Sequence, residues 1–117
     1  MGSSLKVVTI EGRGTVETAV NQAAEVHTAL EEHEQVLLNL SHLEQIDASF
    51  VHILYAAASE AKERGVRFGL TGTLQGEVRS SFEIGGFCNN APEQAGELPG
   101  ALIDFPVSDL PEEAPDA

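Results

Sequence analysis

Hydrophobic positions along the chain switch between two periods, and each switch marks an element. Lys6-Val7-Val8-Thr9-Ile10 is short and β-branched and reads as a strand. Glu11-Gly12-Arg13-Gly14 breaks it, and Thr15 is placed to cap a helix running to about His33. Val16, Val20, Ala23, His27 and Leu30 recur at three- and four-residue steps and define that helix's inward stripe. Glu31, Glu32 and Glu34 put acid at the negative end of the helix dipole, which favours fraying there.

Gln35 to Leu40 is nearly all apolar and suits a strand buried on both faces. Ser41 to Ile46 reads as a connection. Asp47 then caps a second helix, Ala48 to about Arg64, whose wide apolar face holds Phe50, Val51, Ile53, Leu54, Ala57, Ala58 and Ala61. Gly65 can take the left-handed conformation that stops it. Val66 to Thr71 is a third strand. Thr73 is the expected cap of a third helix, with Leu74, Val78 and Phe82 inward and Gly85-Gly86 at its end. Ala101 to Phe105 reads as a short edge strand. Strands alternating with helices imply an α/β domain: a small, mainly parallel sheet of four or so strands with helices packed on it.

Length and composition refine this picture. With 117 residues, 42% of them hydrophobic and 21% charged, the chain fits one ordinary domain. All five prolines lie beyond residue 90, so the domain is expected to occupy residues 1–105. Residues 106–117 form an acidic, proline-bearing stretch expected to be a disordered tail. No run approaches a membrane span, and Met1 to Ser4 is too short and polar for a signal peptide. A lone cysteine, Cys88, points to a reducing compartment, and the expected location is cytoplasmic. No His or Lys lies near it in sequence to activate the thiol, so it reads as structural.

Charge changes the picture most. The formal net charge is −13. Residues 80–117 hold eight acids and no base, while all six Lys and Arg lie before them. Such a field repels nucleic acid and anionic membrane surfaces, and it either favours a basic groove on another protein or simply keeps the chain soluble. The four histidines show no metal-ligand spacing, and no glycine motif cradles a phosphate. No GxSxG elbow is present. The residues therefore call for no metal, no cofactor and no catalytic group.

One place stands out. Function in open α/β sheets sits beyond the carboxyl ends of strands. There Asp47-Ala48-Ser49-Phe50 opens the second helix, with Ala48 and Ser49 in its first turn at the positive dipole end. A phosphate on a hydroxyl there meets free amides and a favourable field, and an ordinary capped helix start accounts for the same residues.

The segment Val36-Leu37-Leu38-Asn39-Leu40-Ser41-His42-Leu43-Glu44-Gln45-Ile46-Asp47-Ala48-Ser49 resembles the central motif of STAS domains, the fold of bacterial anti-sigma factor antagonists. That motif is a hydrophobic strand, Asp or Asn, Leu, a short loop, an apolar residue and Asp-Ser-[Ser/Thr]-Gly. Ala61-Lys62-Glu63-Arg64-Gly65, Gly12 with Thr18-Ala19, and Gly86-Phe87 add to the likeness. The resemblance implies a partner-binding domain whose serine after the aspartate is phosphorylated by an anti-sigma kinase. Asp47 matches the aspartate, but the phosphoacceptor position falls on Ala48, which has no hydroxyl. Ser49 is the available phosphoacceptor, about 100° further round the helix. Phe50 replaces the motif's glycine and reads as core or as an aromatic anchor for a partner. The family's two strands before the first helix are expected to be one here.

The resemblance implies a non-catalytic regulatory module that docks on an anti-sigma kinase or other signalling protein through Asp47, Ala48, Ser49 and Phe50. The alternative is a cytoplasmic STAS accessory subunit of a lipid-transport ATP-cassette system, which needs no phosphoserine. An enzyme of unknown type is the third. Self-association is open, because an edge strand at Val66–Thr71 or Ala101–Phe105 could pair with another copy.

Overall fold

The computed structural model describes residues 4–14 and 16–106, without the side chains of residues 16 and 17. The expected cap Thr15, the Val16 side chain and all of the tail but Pro106 lie outside the described residues. The elements run β1 (Leu5–Thr9), β2 (Gly12–Gly14), α1 (Val16–Glu32), β3 (Gln35–Asn39), β4 (Leu43–Ile46), α2 (Ala48–Arg64), β5 (Arg67–Thr71) and α3 (Gly76–Ile84). A 3₁₀ turn at Ala95–Glu97 and a single-turn α4 (Leu98–Ala101) follow. The expected α/β class holds, but the strands divide between two parallel sheets. One is ordered β1-β3-β5, and the other pairs β2 with β4.

One face of the larger sheet makes the core. Val8, Ile10, Val36, Leu38, Leu40 and Leu70 are buried there, with Val26, Ala29 and Leu30 of α1 and Phe50, Val51, Leu54 and Ala58 of α2. The other face stays open. In β3, Gln35, Leu37 and Asn39 are only half-buried, and their register neighbours Leu5, Val7 and Thr9 on β1 are exposed. The expectation of a strand sealed on both faces is corrected accordingly: β3 alternates buried and half-buried positions.

Other expectations also change. The α1 stripe rotates: Leu30 is buried, but Val20 is 78% exposed, and Ala23 and His27 are exposed. The true contact is Val26-Ala29-Leu30. Thr73 does not cap α3, which begins at Gly76 behind Gln75. Thr73 instead bridges Gln94 in antiparallel pairing, and its N–H donates to Ser41 Oγ at 3.1 Å. Ala101–Phe105 is no strand. Leu98, Leu102 and Phe105 are buried at four- and three-residue steps, and Asp104 takes a left-handed φ of 54°. Nor is the second strand before α1 missing: Gly12–Gly14 forms it.

The end of α2 follows the expected rule. Gly65 is left-handed at φ 73°, its N–H donates to Lys62 O, and Val66 N–H donates to Ala61 O at 2.9 Å. These two bonds satisfy carbonyls the helix leaves open, and buried Ala61 and Val66 close the apolar contact. The loops beyond β3 and β5 are tied together. Asn39 Oδ1 accepts from Ser41 N–H at 3.0 Å, and Gly72 sits against both residues at φ 98°. A Cβ on Gly72 would lie 2.3 Å from Ser41 Oγ, so only glycine fits.

Candidate functional site

The start of α2 is fixed from below and from the side. β4 delivers the chain to Asp47, whose N–H donates to Gly14 O of β2 at 3.0 Å. Asp47 is in extended conformation, and its Oδ1 accepts from Ser49 N–H at 2.9 Å. That is the N-cap read from the sequence. It satisfies an amide that the first turn would otherwise leave without a partner. Ala48 is exposed and Ser49 half-buried.

Phe50 is 1% exposed and belongs to the core, so of the four expected contact residues it is the one unavailable to a partner. Its ring lies against Gly14, where a Cβ would come within 2.7 Å of Phe50 Cδ1. The bulk at the motif's glycine position is thus matched by an absent side chain across the β2–α2 contact. Sequence reasoning missed Gly14; the signal was present in the Gly12-Arg13-Gly14 run, but only the fold shows what faces it.

The second wall is the end of α3. Gly86 is left-handed at φ 81°, its N–H donates to Glu83 O at 3.1 Å, and Phe87 N–H donates to Phe82 O at 3.0 Å. This closes α3 with the same pair of bonds that closes α2. It turns Phe87 back over Gly85, where a Cβ would lie 2.6 Å from the ring. Ile84, 86% exposed, projects beside it. Ile46, Asp47, Ala48, Ser81, Ile84, Gly85 and Phe87 line an open cleft of about 340 Å³ between the two helix ends. Its walls are mostly apolar. Ile84 was not among the residues singled out from sequence; the Gly85-Gly86 stop and the Gly86-Phe87 likeness pointed to this corner, but neither marked it as a contact surface.

Chemistry elsewhere is spare. Among the described residues no three metal-ligating side chains converge, and no helix is long and apolar enough to cross a membrane. Cys88 is buried, and desolvation pushes its thiol pKa up, with Glu83 adding to the effect. On the opposite flank of α2, His27 Nδ1 pairs with Glu60 at 2.8 Å and Nε2 with Glu31 at 3.2 Å. The hydrogen bond with Glu60 raises the His27 pKa above 6.5. Arg64 Nε donates to Glu60 at 2.7 Å. Burial pushes the Glu60 carboxyl up, but the bonds from His27 and Arg64 outweigh it and leave it below 4.5.

No curated protein matches the chain. Two of the solved structures that share its fold are an anti-sigma factor antagonist and a transporter-family protein. The anti-sigma factor antagonist SpoIIAA in its unphosphorylated form is 19% identical over 60% of this chain, with a TM-score of 0.51. The chain covers 66% of SpoIIAA, just under two thirds of it. A sulfate transporter family protein from Wolinella succinogenes is 18% identical over 71% of this chain and 67% of its own, with a TM-score of 0.54. The family model described as "Mlab, STAS domain" matches residues 3–89, from β1 through the turn after α3 that carries Phe87. Because that match spans both walls of the cleft and most of the chain, the protein belongs to the STAS domain family.

Proposed function

We propose that this STAS domain is a non-catalytic regulatory module that docks onto a partner protein through the start of α2. The observation carrying this reading is the cleft beside Ala48. An exposed helix start and an exposed Ile84 flank a mostly apolar depression, in a chain of net charge −13. An apolar side chain set among Lys and Arg on a signalling protein suits both features. Asp47 orients the first turn, Ala48 offers it, and Ile84 and Phe87 supply the apolar contact. Nothing in this reading needs a cofactor.

Ser49 is the hydroxyl at which a modification could act. A phosphate there would gain from the helix dipole but would share the turn with the Asp47 carboxylate. Mass spectrometry of the protein from its native host, searched for phosphate on Ser49, decides whether such a switch operates.

Ala48 also favours a second reading. A position without a hydroxyl suits a constitutive subunit, as in STAS accessory subunits of lipid-transport ATP-cassette systems. The two readings separate by what co-purifies with the chain from its host and by the neighbouring genes. A kinase or receptor supports signalling, and a permease with an ATPase supports transport. In either case Ile84→Lys, on an exposed side chain at the end of α3 where a cation suits the dipole, should leave the melting temperature unchanged and weaken affinity for a basic partner by tenfold or more. Unchanged affinity would remove the cleft from the interface.

A further inference from the structure

The larger sheet has two edges with opposite treatment. Beside β5 the chain is covered: the 3₁₀ turn and α4 pack against it, and Gly96 approaches Leu70 O. β1 is the other edge, and its principal contacts are with β3 and α1. Ser4 O accepts from Gln35 N–H, and Ile10 N–H donates to Asn39 O. Even-numbered backbone groups therefore face β3, and the alternation of a strand turns those of Leu5, Val7 and Thr9 outward. The side chains of the same three residues lie on the open face, Leu5 53% and Val7 46% exposed. The edge carries neither proline nor bulge, and its one charged residue, Lys6, has its backbone groups toward β3 and its side chain on the face opposite Leu5 and Val7.

Charge selects the occupant. The chain holds 19 acids against 6 bases, yet the open face of the three strands holds no carboxylate; its one charge is Arg67. It is a place where a second strongly acidic chain can approach without meeting acid. We infer that β1 pairs antiparallel with β1 of a second copy of this chain, about a two-fold axis through Val7.

Val7 is the middle residue of Leu5–Thr9, so the register is self-complementary. Val7 meets its own mate, and Leu5 of one copy lies opposite Thr9 of the other. The outward N–H and C=O groups of these residues all find partners, and the two three-stranded sheets become one of six strands. Backbone pairing alone only replaces bonds to water. The driving burial comes from both copies' Leu5 and Val7, which meet directly and on the diagonal beside Leu37. This edge lies apart from the cleft residues and does not depend on the docking proposal. It also replaces the edges expected from sequence: β5 is covered, and Ala101–Phe105 is not a strand.

Sedimentation velocity of the full chain across two decades of concentration tests the pairing. The expected result is a mass rising from one chain to two. Val7→Lys sets like charges face to face on the axis and should raise the dissociation constant at least tenfold. Val20→Lys, on a still more exposed valine of α1, should sediment like the parent. Circular dichroism confirms that each variant is folded, and Leu5→Lys replaces Val7→Lys if that variant is not. A single-chain mass at every concentration overturns the inference, and so does a dimer indifferent to the β1 lysine or equally lost in Val20→Lys.

Discussion

The two ends of α2 are finished by different means. At its C-terminus the chain uses its own resources. Gly65 and Val66 close the backbone, Lys62 and Arg64 complement the dipole, and Arg64, His27, Glu60 and Glu31 bind one another across α1 and α2. At its N-terminus the cap comes from the residue before the helix. Asp47 caps one amide, the first turn holds no acid, and Ala48 faces solvent beside an exposed isoleucine. The contrast teaches where to look for intermolecular contact: at the helix end that presents exposed uncharged side chains, Ala48 beside Ile84.

The contrast can be broken most severely at Phe50. Phe50→Ala empties a buried site beneath the N-terminal turn and should cost about 3–5 kcal/mol in denaturant unfolding. A cost below about 1 kcal/mol would mean that the ring does not hold this end in place. Gly14→Ala attacks the same contact from the other side. It forces a methyl into the Phe50 ring and should cost about 1–3 kcal/mol. Because the two residues touch, Gly14→Ala combined with Phe50→Leu should cost less than the sum of the single changes.

Next come the caps, which sharpen the comparison. Asp47→Ala and Gly65→Ala should each cost about 1 kcal/mol, one by losing the bond to Ser49, the other by straining a left-handed residue. If the ends differ as argued, similar losses of stability should be accompanied by weaker partner binding for Asp47→Ala alone.

The smallest effect is electrostatic. His27 is half-exposed, and its folded pKa lies above 6.5. Its clasp therefore stabilises the fold fully below that value and loses this contribution as pH rises through the raised pKa. The melting temperature should fall slightly over that window, and Glu60→Gln should make the fall smaller, with Glu31 retaining part of it. An NMR titration of His27 with its midpoint at or below 6.5 would contradict the geometry.

What the sequence disclosed follows from where single segments carry their own signal. The three long strands, both ends of α2, the C-terminal stop of α3 and the Asp47 cap were legible because β-branched runs, a capping carboxylate and glycine stops act locally. β2 and β4 were not. Gly12-Arg13-Gly14 has no apolar side chain, and Leu43-Glu44-Gln45-Ile46 buries only its ends, so neither alternates. Each is a strand only because the other lies beside it. The α1 face was misplaced because alanines at 19, 23, 24 and 29 give a helix several near-equal stripes. Packing against α2, rather than hydropathy, chose Val26-Ala29-Leu30. At the site, Asp47, Ala48 and Ser49 stand where the motif put them. Ile84 and Phe87 lie far along the chain from Ala48 and meet it only through the fold.

The aromatic wedge at Phe50 has a consequence for how the helix start could be used. With its ring seated against Gly14 and the Asp47 amide bonded to the same glycine, the first turn of α2 is a rigid ledge rather than a hinge. A visiting protein would find the landing surface already shaped. Little ordering entropy would be lost on arrival, and variation among visitors would be expressed in how long they stay rather than how fast they land.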